Sequence, residues 1–395
     1  MKFIEQGEFS RQVALVRVDF NVPLNEKFEI TDDKRIRESI PTIKYILDAG
    51  GAVVLMSHLG RPKKGYEEKF SLKHLLSHLS KLLSREVQFA PDCLGQETKI
   101  MAAKLLTGQV LLLENLRFYP EEEKGDVEFA KKLASYGSIY VNDAFGTAHR
   151  AHASTTIIAQ FFEKKYAGLL MATEIKNADK IVKKINRPFT AIIGGAKVSD
   201  KIHLIENLIE KVDTLIIGGG MTYTFLKAKG KNIGKSLCEE DKLDIARNIM
   251  KKAKEKGINF ILPVDSIVAE SFSNDTIYKA ESNDYLPTGW MGLDIGPISI
   301  ENARKYIVPS RTILWNGPMG VFEFDNFAKG TYDIAKAVSE ATFKGAFSLV
   351  GGGDSAAALE KANLTEQVTY ISTGGGALLE YLEGKILPGI AALGD

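Results

Sequence analysis

Two α/β domains, each built on a doubly wound parallel sheet, are predicted by three features of the chain. Short β-branched runs alternate with amphipathic stretches from end to end, which is the pattern of strand–helix–strand units. At 395 residues the chain is too long for one ordinary core. The strands also end differently in the two halves, in side chains that grip ligands in the first and in glycine clusters in the second.

In the first half, the strand-like runs are VALVRVDFNVP (13–23), AVVLMSHLGRP (52–62), VLLLENLRF (110–118) and IYVNDAFGTAHR (139–150). Helices are predicted between them at RIRESIPTIKYILDAG (35–50), SLKHLLSHLSKLL (71–83) and GDVEFAKKLASYG (125–137). In the second of these, Leu72, Leu75, Leu76, Leu79, Leu82 and Leu83 recur at helical spacing. The segment YAGLLMATEIKNADKIVKKIN (166–186) runs from apolar to charged with no strand signal and reads as an inter-domain helix, with the boundary near residue 170.

The second half repeats the plan. Its strands TAIIGG (190–195), TLIIGGG (214–220), FSLVGGGD (347–354) and TYISTGGG (369–376) all stop at glycine, with NFILP (259–263) and TILWN (312–316) added. SDKIHLIENLIEK (199–211) sets Ile202, Ile205, Leu208 and Ile209 on one helical face. The tail EGKILPGIAALGD (383–395) reads equally well as a loose end or as a segment packed back on the molecule.

Composition narrows the function. The 51 Lys and Arg nearly cancel the 50 Asp and Glu, so there is no global basic field to gather nucleic acid or an anionic membrane surface. No apolar run approaches the roughly 18 residues of a membrane span. Glu5 and Glu8 argue against a signal or transit peptide, and Cys93 and Cys238 form no redox or disulfide pattern. A cytoplasmic protein with local anion selectivity is expected.

That selectivity can be placed. GGGDSAAALEK (351–361) combines glycines that let backbone approach phosphate, a helix start, and Asp354, which could hold a phosphate-bound metal; a plain turn capped by Asp354 is the structural alternative. GGAKVSDKI (194–202) puts Lys197 in a turn and Lys201 in the first helical turn, where the dipole disfavours cations, so a bound polyanion explains them better than helix stability does. GKNIGKS (230–236) misses the Walker spacing by one residue and reads as a surface turn. In the first half Arg35, Arg61, Arg117 and Arg150 stand at strand ends or helix starts; with Asp19, Asn21, His58 and His149 they would line a basic pocket at one sheet edge. His74, His78 and His152 read as structural or solvated.

In order, VRVDFNVP, SHLGRP, LENLRF, NDAFGTAHRAHAST, GGAKVSDKI, WMGLDIGP, LWNGPMGVFE, GGGDSAAA and STGGGA resemble the phosphoglycerate kinase family over nearly the entire chain. The resemblance implies two Rossmann-like domains with the active site in the cleft: residues 1–170 plus the tail 383–395 for the triose phosphate, and 171–382 for the nucleotide. It implies Mg²⁺-dependent, reversible phosphoryl transfer from 1,3-bisphosphoglycerate to ADP in glycolysis, by a monomer, with hinge closure around 166–186 and no covalent intermediate. Carried onto this sequence, Asp19, Phe20 and Asn21 of the first turn, His58, Leu59, Gly60 and Arg61 of the second, and Arg35, Arg117 and Arg150 would bind the triose. Lys197, Lys201, Gly292, Glu323, Gly352, Gly353, Asp354 and Ser355 would serve the nucleotide, with Glu323 on the ribose and Asp354 on the magnesium. Arg35, Lys197 and the amides of Gly374, Gly375 and Gly376 would act on the transferring group. Leu378 departs from the serine usual in the family after STGGGA. A non-catalytic nucleotide-binding protein of the same fold is the alternative, and a nicotinamide-dependent dehydrogenase is disfavoured by the lack of a G-x-G-x-x-G fingerprint.

Overall fold

Val13–Arg17 (β1) stands at the centre of the first sheet because its apolar residues have helices to cover both faces. The computed structural model describes residues 1–394. With β1, the strands Ala52–Met56 (β2), Val87–Phe89 (β3), Val110–Leu112 (β4), Ile139–Asn142 (β5) and Lys165–Ala167 (β6) form a sheet ordered β3-β4-β2-β1-β5-β6, every neighbouring pair parallel. β2, β4 and β5 are buried at every position, as a sheet covered on both faces requires. The chain winds one way from β1 to β2 and the other way from β5 to β6. The carboxyl ends of β1 and β5 therefore flank a switch point, where such sheets bind ligands.

The first compact unit is Met1–Lys176 together with the chain from Ile386 on; the second is Asn177–Lys385. The tail's place is fixed by burial of Leu387 and Leu393 and by the Gly389 amide, which donates to the Ala148 carbonyl at 2.8 Å. The boundary falls inside the helix Leu169–Val182. That helix starts against the first unit: the Leu169 amide donates to Thr42 Oγ1 (2.8 Å) and the Met171 amide to Asp143 Oδ1 (3.1 Å).

The second unit contains Phe189–Ile193 (β7), Thr214–Ile217 (β8), Asn232–Ile233 (β9), Asn259–Ile261 (β10), Asp265–Ala269 (β11), Tyr278–Ser282 (β12), Tyr285–Leu286 (β13), Met291–Ile295 (β14), Thr312–Asn316 (β15), Phe347–Gly351 (β16) and Tyr370–Ile371 (β17). Its main sheet is ordered β10-β8-β7-β15-β16-β17 and is parallel throughout, so the reversal lies between β7 and β15. β12, β11 and β14 form a separate antiparallel sheet, and β9 pairs with β13. Trp315 on β15 is fully buried and donates its indole N–H to the Gly317 carbonyl at 2.8 Å. Among the described residues no helix is long and apolar enough to cross a membrane.

Several elements differ from the sequence reading. Residues 166–186 hold a short strand before the helix: Lys165–Ala167 (β6) closes the sheet edge, and three residues are too few to show periodicity. The stretch 71–83 is a 3₁₀ turn, Leu72–Leu75, followed by the helix Leu76–Leu83. The helix after β7 begins at Ile202, with Lys201 in the capping position rather than in the first turn.

Burial raises the Asp143 carboxyl to about 7, against the hydrogen bonds it receives from Thr42 and the amides of Met171 and Leu170. A carboxyl whose folded value lies above its unfolded value of about 4 adds no penalty at low pH and destabilises the fold as pH rises toward 7. Asp143→Asn is expected to flatten the decline in stability between pH 5 and pH 8, read as urea midpoints at both pH values; an unchanged slope would show that this carboxyl is ionised throughout.

Candidate active site

The ends of β1, β2, β4 and β5 gather the ligand-gripping side chains of the first unit. Asp19, just past β1, accepts from Arg35 Nη1 at 3.0 Å, and the same nitrogen reaches the Asn21 carbonyl at 3.3 Å. Asn21 Oδ1 in turn accepts from the Gly60 amide (2.8 Å), whose carbonyl receives Arg117 Nη1 at 2.8 Å. Two first-unit loops and two arginines are thus tied to one peptide segment. Gly60 has φ +62°, and a Cβ there would fall 2.3 Å from the Phe70 ring, so this position needs glycine.

His58 is buried, with Nδ1 3.8 Å from Asp19 Oδ1 and 3.3 Å from Arg17 Nη2. Burial first, then the charges of Arg17, Arg117, Arg35 and Arg150, hold its pKa well below the ordinary histidine value. It is a neutral hydrogen-bonding group, and the same charges show that these four arginines converge. Burial, with Arg17, Arg117 and Arg150, pushes His152 down to about 4, so this residue, expected to be structural or solvated, is a neutral imidazole against the cluster. Arg150 Nε contacts His149 Nε2 at 3.2 Å. Arg61 is exposed. Phe20 and Leu59 belong to the hydrophobic core, so their side chains cannot meet a ligand.

Sequence reasoning missed Arg17. It is 1% exposed and donates Nε to Ser154 Oγ at 2.8 Å, while Ser154 Oγ donates to Glu122 Oε1 at 2.5 Å and the Ser154 amide donates to Glu122 Oε2 at 3.0 Å. A lone charge inside the apolar run VALVRV was the available signal, because a buried charge must be compensated.

In the second unit the four glycine clusters split into two kinds. The Gly195 amide donates to the Pro318 carbonyl and the Gly219 amide to the Met319 carbonyl, both at 3.0 Å. A Cβ at Gly194 would lie 2.1 Å from the Pro318 oxygen. The loops after β7, β8 and β15 are therefore interlocked main chain against main chain. The loops after β16 and β17 are open instead: a Cβ at Gly353 or Gly375 would meet nothing within 4 Å. These two loops start the helices Gly353–Lys361 and Gly376–Leu382.

Asp354, in the first turn of Gly353–Lys361, is exposed, and Gly352 caps that helix in its place. Ser355 Oγ is buried and accepts from the Gly317 amide at 2.7 Å, so its hydroxyl braces the loop after β15. Lys201 Nζ hydrogen-bonds the side-chain oxygen of Asn316, a residue the sequence did not single out; burial lowers the lysine's pKa, opposed by Asp200 and Asp354. Lys197 is exposed in the turn between β7 and the next helix. Leu378 is buried, and its Cδ2 lies 2.7 Å from where a Cβ on Gly351 would stand, so leucine here packs the helix Gly376–Leu382 against β16.

Between the antiparallel sheet and the interlocked loops lies a cavity of about 670 Å³, lined by Met291, Gly292, Leu293, Val321 and Phe324, with Glu323 and Asp354 also on its walls. That volume and mostly apolar lining suit a flat heterocycle. Among the described residues no group of three or more His, Cys, Asp or Glu could hold a metal, and the carboxylate at the helix start beside the cavity is the exposed Asp354.

A cluster of arginines at the strand ends of one doubly wound unit, and on the other a largely apolar cavity that reaches Asp354 at an open helix start, are the parts a phosphotransferase needs. The chain belongs to the phosphoglycerate kinase family, whose model "Phosphoglycerate kinase" matches residues 4–385. It is 56% identical to the phosphoglycerate kinase of Porphyromonas gingivalis, covering 99% of both chains, and 54% identical to the cytosolic phosphoglycerate kinase of Triticum aestivum, covering 99% of this chain and 97% of that one. The solved phosphoglycerate kinase of Coxiella burnetii superposes with a TM-score of 0.90 at 42% identity, covering 99% of this chain and 98% of that one. That of Pyrococcus horikoshii gives 0.86 at 32%, covering 100% and 98%. The enzyme is a kinase with a carboxyl group as acceptor.

Glu122 is 1% exposed and leans on the charge of Arg17. Arg17→Met should lower stability by roughly 3 kcal/mol in urea unfolding, because the carboxylate is left uncompensated. Adding Glu122→Gln should recover part of that loss. If the double variant is no more stable than Arg17→Met, the two charges do not compensate one another.

Proposed function

We propose that the two constellations divide one reaction, the first unit binding 3-phosphoglycerate or 1,3-bisphosphoglycerate and the second binding ATP or ADP. The observation that carries this is the contrast between the arginine cluster around His58 and the largely apolar cavity that reaches Asp354. Arg35, Arg117 and Arg150, with Asp19, Asn21 and Arg61, hold the triose; arginine forks match carboxylate and phosphate oxygens. Gly292 lies against the base, Glu323 takes the ribose, and Lys197, Lys201 and the amides of Gly352 to Ser355 take the phosphates. Asp354 holds Mg²⁺, which when bound neutralises charge on the nucleotide's phosphate oxygens.

In the direction of ATP use, the nucleophile is the substrate carboxylate, ionised near neutral pH without help because such groups titrate at about 3 to 4. Its oxygen attacks the γ-phosphorus as the bond to the β-phosphate oxygen breaks and ADP leaves, so no general base is needed. The protein's work is charge neutralisation: Arg35 and Lys197 meet the transferring group, assisted by the amides of Gly375 and Gly376 at a helix start, while the Gly374 amide donates to Ser372 Oγ at 3.0 Å and braces that loop. Two ligands carried on separate units must be delivered to one point with water shut out, and we place the adjusting segment at residues 166–186.

We further place the enzyme in glycolysis, as a cytoplasmic monomer; two relatives are named as cytosolic and one as chloroplastic, and both cysteines are free thiols. The groups a non-catalytic relative could lose, Arg35, Lys197 and Asp354, are all present.

The test is consumption of ATP with 3-phosphoglycerate and Mg²⁺, with acyl-phosphate formation coupled to NADH oxidation. Wild type should turn over, and Lys197→Ala should lose at least about a hundredfold in kcat, the scale of removing one preorganised charge-stabilising group. Arg35→Ala should lower turnover strongly while leaving ADP affinity within about twofold. A large loss of ADP affinity would put Arg35 on the other ligand, and a well-folded wild type without activity would sink the reading.

A further inference from the structure

Two residues of the cavity wall that the roles above leave unused carry hydroxyls, Tyr223 on the helix Met221–Ala228 and Ser266 on β11. Behind them Asn283 is buried at 3% exposure. Three hydrogen bonds join the set: Tyr223 Oη to Ser266 Oγ at 3.0 Å, Ser266 Oγ to Asn283 Oδ1 at 2.8 Å, and Asn283 Nδ2 to the Pro263 carbonyl at 2.9 Å.

The direction of every proton in this chain follows from its far end. A backbone carbonyl only accepts, so the Asn283 amide must present its nitrogen to Pro263 and its oxygen to Ser266. Ser266 therefore spends its single proton on Asn283, and the contact between the two hydroxyls must have tyrosine as donor. Tyr223 in turn has no proton left, and its oxygen is an acceptor only. Burial pushes the phenol's pKa well up, which keeps that proton in place. Glycine at 292 admits the oxygen beneath the cavity wall, since a Cβ there would fall 1.7 Å from it. The neighbouring lining is mostly apolar, from Met291, Leu293, Val321 and Phe324, with Asp294 the carboxyl close enough to add to the rise in the phenol's pKa.

An acceptor fixed in an apolar wall tells apart bases that differ by a donor and an acceptor at one position. We propose that Tyr223 is a base-specificity residue, its oxygen accepting an N–H from the 6-amino group of an adenine nucleotide and disfavouring the 6-oxo group of hypoxanthine or guanine nucleotides. The inference rests on the reading of this cavity as the nucleotide site. A site that makes a hydrogen bond to one substrate group rejects analogues that cannot answer it, because its own polar atom is left unpaired.

Steady-state kcat/KM with ADP and with IDP, using 1,3-bisphosphoglycerate as donor, provides the test. IDP carries oxygen where ADP carries the 6-amino group, so a general defect moves both nucleotides together and a reading defect moves their ratio. Wild type should favour ADP by about tenfold or more. Tyr223→Phe should lower kcat/KM for ADP about five- to tenfold, chiefly through KM, and leave IDP within about twofold. Ser266→Ala keeps the tyrosine but frees its proton to point into the cavity, so use of IDP should rise while use of ADP falls. Equal losses for both nucleotides in Tyr223→Phe, an unchanged ratio in both variants, or a wild-type preference for IDP would each overturn the inference while the nucleotide site stands. Absence of turnover with either nucleotide in wild type would overturn the site reading and this inference with it.

Discussion

A guanidinium carried into the interior at the end of the central strand organises the first unit. Arg17 is 1% exposed, and desolvating such a charge costs several kcal/mol unless partners surround it. They come from three separate stretches of chain: the Val18 carbonyl, Ser154 with Glu122 behind it, and His58. Satisfying Arg17 therefore draws the ends of β1 and β2 and the segment after β5 to one point. Arg35, Arg117 and Arg150, which we assign to the triose, act on the same His58. Asp19 beside Arg35 and Glu123 beside Arg117 offset part of their mutual repulsion, and the same positive charge helps keep His58 and His152 neutral.

The second unit reaches a comparable rigidity by the opposite means. Its loops after β7, β8 and β15 hold one another by amide–carbonyl bonds, with glycine where any side chain would collide. Ser355 and Asn316 extend the same frame toward the phosphate end of the cavity. Positioning by main chain suits a site for phosphates, which are recognised through amides and helix starts; positioning by paired charges suits a small anion gripped by side chains.

Much of this was legible in the sequence, and the failures have physical causes. Parallel strands buried on both faces write themselves as apolar runs, so β1, β2, β4 and β5 and, in the second unit, β7, β8, β15 and β16 could be read directly, and the shorter β10 and β17 through their flanking residues. Val87–Phe89 and Lys165–Ala167 could not, being edge strands of three residues, and the antiparallel sheet of β11, β12 and β14 mixes exposed with buried positions. Motif order located the ligand-binding segments, but not which atoms face a ligand. Ser355 and the side chains of Phe20 and Leu59 sit in motif positions yet are committed to packing or bracing, a distinction of tenths of an ångström and of burial that no spacing encodes. All four glycine clusters look alike as letters, and only three-dimensional packing separates the interlocked pair from the open pair.

The return of the tail to the first unit bears on how the protein is made. A ribosome completes residues 1–176 early, but that unit lacks the segment from Ile386 on until the second unit has been made. Leu387 and Leu393 fill its core, and the Gly389 amide holds the Ala148 carbonyl two residues before Arg150. The second unit, continuous from 177 to 385, has all of its own chain before the first does. The arginine cluster of the first unit is thus completed only after the whole second unit has been made, and a chain that stops before Ile386 loses the support beneath the loop that carries Arg150.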